Sequence, residues 1–308
     1  MTRIAIIGAP TSAASYAPGQ ELAPAALRAA GLPAALEARG LEVRDLGDGP
    51  LQRWAPDRES PRAQNLAQAA AAVAAVNDAA GAALAAGDVP LVLGGNCTVG
   101  IGAWAALAAA EPAAALCYVD LHADLNTPAS VVDGALDWMG LGCLLGIEGA
   151  APGLAPPGIL APEQVVLVGF DPGQGTEWER TQIASLGLRV VPVEDVARDP
   201  ADAAQAALVA LPSDTTAIAL HFDVDLVDFV DAPLSENTGR NVGVPLASAL
   251  ATVAALAADP RVRIVTVTEL NPLHGAQDGS TLAPLVAGLA DALARGGRGA
   301  SGRGASRA

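Results

Sequence analysis

Two short clusters have residue types and spacing that could do metal chemistry: Asp120-Leu121-His122-Ala123-Asp124 and His221-Phe222-Asp223-Val224-Asp225. Each follows an apolar run, at 113–119 and 216–220. Side chains along a strand alternate faces, so Asp120, His122 and Asp124 tend to share one side, as do Asp223 and Asp225. Carboxylates and an imidazole converging at strand ends would repel one another unless cations lay between them. Oxygen donors with one nitrogen suit Mn²⁺, Mg²⁺ or a similar hard divalent ion better than a thiolate-type zinc site does. The bland alternative is a set of solvated acids capping helices, since Asp is a common N-cap. By the same alternation His221 points with Asp223, as a packed core residue or a partner of the ligands rather than as a ligand.

The elements that must position these residues alternate regularly. Apolar runs predict strands at 3–8, 41–46, 89–94, 113–119, 164–170, 188–192, 216–222 and 262–268. Helical patterns fall at 20–39, 62–86, 98–110, 132–146, 176–187, 200–210, 246–258 and 280–295. Strands of Val, Ile and Leu without polar alternation are buried on both faces. The order therefore predicts an α/β fold, a mostly parallel eight-stranded sheet between two helical layers. In such sheets ligands bind beyond the carboxyl ends of the strands, where both acidic clusters stand. One domain is expected over 1–295, with a disordered Gly/Ser/Arg tail at 296–308. Gly94-Gly95-Asn96-Cys97-Thr98 also leaves a strand and enters a helix, as an anion site or a plain turn.

Composition excludes several classes. The 308 residues carry a net charge of −16, which argues against nucleic acid or an anionic membrane as partner. No lysine occurs, so Schiff-base, pyridoxal-phosphate and Walker-loop chemistry are out. No apolar run reaches the roughly 18 residues of a membrane span. The three cysteines form no CxxC and read as reduced thiols. With a strand at the start and no charged leader, a cytoplasmic protein is expected.

Beyond these local features the chain resembles the arginase/agmatinase (ureohydrolase) family along nearly its whole length. Ile7-Gly8-Ala9-Pro10 and the segment 19–32 are similar to the family's opening; 120–128 reads DxHxDxNTP; Phe222-Asp223-Val224-Asp225 reads FDVD; Glu269-Leu270-Asn271-Pro272 is similar to its late EVNP. The resemblance implies two metal ions, usually Mn²⁺, whose bridging hydroxide attacks a guanidinium carbon. By motif, Asp120 and Asp223 would bridge the ions, Asp124 would complete the first site, and His122 with Asp225 the second. Glu269 would pair with the guanidinium. Asn126 would meet a substrate α-carboxylate. Asp171 and Gln174, in a turn resembling the family's DPGE, would meet the α-amino group. Agmatine, which lacks the carboxylate, is disfavoured. A trimer or hexamer is implied.

Three departures matter. The family's metal loop reads GGDH; here it reads Gly94-Gly95-Asn96-Cys97. A thiolate suits Mn²⁺ poorly. Cys97 then either ligates weakly, or shifts preference toward Fe²⁺, Co²⁺, Ni²⁺ or Zn²⁺, or leaves a single ion on Asp120, His122, Asp223 and Asp225. Asp137 stands where arginases carry a proton-transferring His. Glu236, Asn237 and Arg240 would line the pocket rim differently, with His274 near it. The expected function is metal-dependent hydrolysis of the guanidino C–N bond of arginine or a close derivative such as Nω-hydroxyarginine, giving urea or hydroxyurea. The competing expectations are a catalytically silent arginase-like binder and, more remotely, a deacetylase-like single-zinc enzyme.

Overall fold

The computed structural model describes residues 3–156 and 158–301. Eight strands form one sheet: β1 Arg3–Gly8, β2 Glu42–Asp48, β3 Val89–Leu93, β4 Ala114–Val119, β5 Val165–Phe170, β6 Arg189–Pro192, β7 Ala217–Asp223 and β8 Val262–Thr268. Their order is β2-β1-β3-β8-β7-β4-β5-β6, and every pairing between them is parallel. The expected mostly parallel, eight-stranded sheet is found, with every pairing parallel. Among the described residues ten α-helices connect it: α1 Ala23–Ala29, α2 Leu32–Glu37, α3 Leu66–Ala85, α4 Val99–Ala110, α5 Gly140–Leu145, α6 Glu177–Leu186, α7 Val193–Arg198, α8 Pro200–Ala210, α9 Leu246–Ala257 and α10 Leu282–Ser301.

Strand alternation divides the core in two. Ile4, Ile6, Leu91, Leu93, Leu220 and Phe222 pack with α1, α2 and α7 to α10. Ala5, Ile7, Val92, Leu116, Tyr118 and Ala219 pack with α3, α4 and α5 on the other face. This is the three-layer α/β/α arrangement, and it explains the unbroken apolar strands: each face meets a helical layer.

Some elements differ from expectation. The segment 20–39 is a 3₁₀ turn followed by α1 and α2, divided at Gly31, whose φ of 87° no helix tolerates. Only the end of 132–146 is helical, because Gly134 adopts φ 77° and the chain turns there. The short α7 was not foreseen; it follows Pro192 directly and is seeded by Glu194 and Asp195 in its first turn. Helix α10 runs through Ser301, into the stretch expected as a tail from 296; its apolar stripe at Leu285, Leu289 and Leu293 packs in the helical layer with α2 and α9. Residues 302–308 lie outside the described residues. No described helix is long and apolar enough to cross a membrane.

The loop after β3 shows how a small residue positions a site. A Cβ on Gly95 would lie 1.5 Å from the Thr11 carbonyl oxygen. Gly95 N–H instead bonds to Ala9 O at 3.0 Å, laying this loop flat against the loop after β1. Gly95→Ala is expected to cost about 1–3 kcal/mol of stability by overpacking and to displace Cys97. Chemical denaturation alongside metal analysis checks it; an unchanged midpoint would show that the loop yields freely.

Candidate metal centre

The four central strands, β3, β8, β7 and β4, bring their carboxyl ends to one place, and each contributes to it. Cys97 follows β3, Asp120 follows β4, Asp223 ends β7 and Glu269 follows β8. Asp124 and Glu269 have φ of 51° and 62°, left-handed values that cost a non-glycine residue roughly 1–3 kcal/mol each. Surrounding hydrogen bonds hold them there: Tyr118 donates its hydroxyl proton to Asp124 Oδ2, and Glu269 N–H donates to Gly95 O at 2.7 Å.

Local turns aim the carboxylates. Asp120 Oδ1 accepts from His122 N–H at 2.6 Å, and Asp223 Oδ1 accepts from Asp225 N–H at 2.7 Å. His122 Nδ1 lies 2.9 Å from Asp225 Oδ2. The Cys97 thiol donates to Asp223 Oδ2 at 2.7 Å, and Cys97 N–H donates to Glu269 Oε1 at 2.8 Å. Gln20 Nε2 donates to the other Glu269 oxygen. Of these, Cys97, His122, Asp223, Asp225 and Glu269 line a cavity of about 230 Å³, together with Tyr16, Asp124, Trp138 and Asn237.

Burial distorts the acids. Desolvation, followed by the charge of Asp225, raises Asp120 from 3.8 to about 7. Desolvation likewise pushes Asp124, Asp223 and Glu269 well above the usual carboxylate range. Asp225 goes the other way: burial opposes its ionisation, but the His122 charge and hydrogen bond overcome that and hold it low. The Cys97 thiol is driven up by burial and by Asp223. Asp120 Oδ2 and Asp225 Oδ1 are buried with no hydrogen-bond partner. Buried oxygens are rarely left so.

These donors fit divalent cations. Within 4.8 Å of one another lie the ligand atoms of Asp120, His122 and Asp225, those of Cys97, Asp223 and Glu269, and those of Cys97, Asp120 and His221. Asp124 lines the cavity and belongs to none of these groups; its Oδ2 accepts from the Tyr118 hydroxyl. Chelation is therefore expected to destabilise the protein, and excess metal at about a hundredfold above Kd to restore about 2.7 kcal/mol. The metal-free form should lose stability as pH rises. With Asp120 raised to about 7, the folded state holds more protons than the unfolded state between about pH 4 and 7, so stability falls across that window. Melting curves with and without chelator test both statements; identical curves would remove the metal.

The other predicted residues are placed as follows. Asp137 lines the cavity, and burial raises its carboxyl to about 7. Asn126, Asp171 and Gln174 are not among the residues lining it. Asn126 is tied by its Oδ1 to Ser130 Oγ at 3.0 Å and Thr176 Oγ1 at 2.9 Å, Asp171 Oδ1 caps Gly173 N–H at 2.7 Å, and Gln174 is exposed. Of the expected rim, Asn237 is present, 3.4 Å from His122 Nε2. Glu236 is buried and bonded to Asn271, His274 to Ser235 O, and Arg240 lies over Phe229. Tyr16, Gln20 and Trp138 were missed. Tyr16 carries the one available signal, an aromatic ring standing alone in a loop of small residues. Gln20 and Trp138 carry none.

Comparison with known proteins agrees with this geometry. The family model described as Arginase family matches residues 2–293. An arginase of Bacillus caldovelox is 30% identical over 257 residues, covering 81% of this chain and 82% of its own. The Nω-hydroxy-L-arginine amidinohydrolase of Streptomyces lavendulae is 30% identical over 197 residues, 63% of this chain and 67% of that one. The native structure of the B. caldovelox arginase superposes with a TM-score of 0.83 at 26% identity, over 95% of this chain and 98% of that chain.

Proposed function

The chain belongs to the arginase family, and from that membership we propose that it hydrolyses the guanidino C–N bond of an α-amino acid, arginine or its Nω-hydroxy derivative, releasing urea or hydroxyurea. The observation that carries this reading is the convergence of Asp124, Asp137, Asp223, Asp225, His122 and Glu269 on one cavity. An acid-walled cavity at the ends of central strands suits a cationic guanidinium.

Asp120, His122 and Asp225 would hold one cation, and Cys97, Asp223 and Asp124 would help hold the other, with Asp120 and Asp223 shared. When bound, such ions supply a Lewis-acidic centre at which water loses its proton near neutral pH. Glu269, fixed through both oxygens by Cys97 N–H and Gln20, holds the guanidinium and orients its carbon. Asp137, titrating at about 7, takes or returns a proton at its carboxyl near neutrality. Trp138 Nε1, buried without a partner, is a free donor for the substrate's polar end.

Cys97 and Asp137 favour the hydroxylated substrate. An N-hydroxylated guanidine has a lower pKa and a better-poised leaving group, so it tolerates a metal centre weakened by a thiol. The same reading has Mn²⁺ as the usual metal, a homo-oligomer (trimer or hexamer) as the assembly and the cytoplasm as the location. The test is release of urea and hydroxyurea from arginine and Nω-hydroxyarginine, with Mn²⁺, Fe²⁺, Co²⁺ and Ni²⁺ in parallel. A higher kcat/KM for the hydroxylated compound supports the proposal. A clear arginine preference overturns the substrate assignment, and no release from any guanidino compound would leave a silent binder.

A further inference from the structure

His221 is a buried imidazole that the reaction above leaves without a task. It shares a face of β7 with Asp223, and its ring stacks on Tyr118 with centroids 4.3 Å apart and planes 7° from parallel. Thr266 Oγ1 lies 2.7 Å from Nδ1. With Nδ1–H donating to that hydroxyl, the lone pair is on Nε2, which stands 3.4 Å from Cys97 Sγ. Room for the ring is kept by Gly100 on α4, where a Cβ would lie 2.8 Å from Nδ1.

The donor atoms of Cys97, Asp120 and His221 lie within 4.8 Å of one another, and all three residues are buried. One oxygen of the Asp120 carboxylate, Oδ2, is buried and unpartnered. A thiolate at about 2.3 Å and an imidazole nitrogen at about 2.0–2.1 Å from one ion are themselves roughly 3.5 Å apart across a tetrahedral edge. The observed separation of 3.4 Å already matches that edge. Ligating histidines generally give their other ring N–H to a fixed partner, and Thr266 is placed to be that partner.

We propose that His221 Nε2 is a metal ligand, completing a Cys97–His221–Asp120 donor set. This rests on the metal-dependent reading above and deepens it. The resulting sulfur–nitrogen–oxygen shell prefers borderline ions, Co²⁺, Fe²⁺ or Zn²⁺, over Mn²⁺. The neighbouring ion keeps Asp120, His122 and Asp225, so the centre is asymmetric: one hard site and one softer site.

The test uses the full chain loaded with Co²⁺ and labelled with ¹⁵N-histidine. Hyperfine-shifted imidazole resonances count the coordinated histidines. Two are expected, from His122 and His221, together with a thiolate-to-cobalt charge-transfer band. In His221→Asn one set of resonances disappears, the band weakens and bound cobalt falls from two ions per chain to one, with an unchanged circular dichroism spectrum. A single shifted imidazole in the wild type overturns the proposal while leaving the metal reading intact. Failure to bind any divalent ion overturns both. Should His221→Asn not fold, the wild-type count decides alone. Dialysis against equal Mn²⁺ and Co²⁺ should leave cobalt in the softer site; manganese there would overturn the selectivity.

Discussion

Replacing Asp120 with Asn is expected to lower kcat/KM by roughly a thousandfold or more and to strip the centre of metal. Asp120 belongs to two of the three donor groups, with His122 and Asp225 on one side and with Cys97 and His221 on the other. The amide keeps the shape but loses the charge, and it presents an N–H₂ group where a cation must sit. Losing several kcal/mol of charge stabilisation corresponds to about three decades in rate. Stability should change in opposite directions with and without metal. The wild-type carboxylate, raised to about 7 by burial and Asp225, is a burden on the metal-free fold at neutral pH. The variant should therefore melt higher than wild type in chelator and lower than wild type in excess metal. Elemental analysis, kinetics and paired melting curves read these effects; full metal content in the variant would take Asp120 out of the centre.

Glu269→Gln should cost a similar amount while leaving metal content unchanged. Glu269 Oε1 accepts from Cys97 N–H at 2.8 Å and its other oxygen accepts from Gln20, so the side chain is held before any substrate arrives. Burial, then Asp137, pushes its carboxyl well upward, and a guanidinium supplies the missing positive charge. Removing one partner of a buried charged pair costs about 2–5 kcal/mol, or roughly 30-fold to several-thousand-fold. Glu269 also stands close to Cys97 and Asp223 as a possible donor. Metal analysis decides: loss of an ion in Glu269→Gln would make it a ligand rather than the substrate's anchor.

Much of the fold was legible because a parallel sheet covered on both faces needs strands without polar alternation. The runs at 114–119, 165–170 and 217–223 are buried at every position. Helices were less legible. The stretch 132–146 is as apolar as a helix, yet Gly134 and a packed turn against Gln64 divert it; Gln64 N–H bonds to Gly134 O at 2.9 Å. Substrate contacts were the least legible. Asn126 and Asp171 lie in segments similar to family motifs, and each has an oxygen held by a nearby hydroxyl or backbone group.

Sequence by itself determined which residues carry charge and lone pairs, that they sit at strand ends, and that alternate positions share a face. Those are local properties, fixed by residue type and a two-residue period. Only tertiary structure decided that β3, β8, β7 and β4 are neighbours, and so that Cys97, Glu269, Asp223 and Asp120 meet. It also decided that Gln20, from the far side of the β1 loop, braces Glu269, and that His221 faces Cys97. Strand order is set by how whole layers bury their apolar faces, and no spacing along the chain encodes that distance.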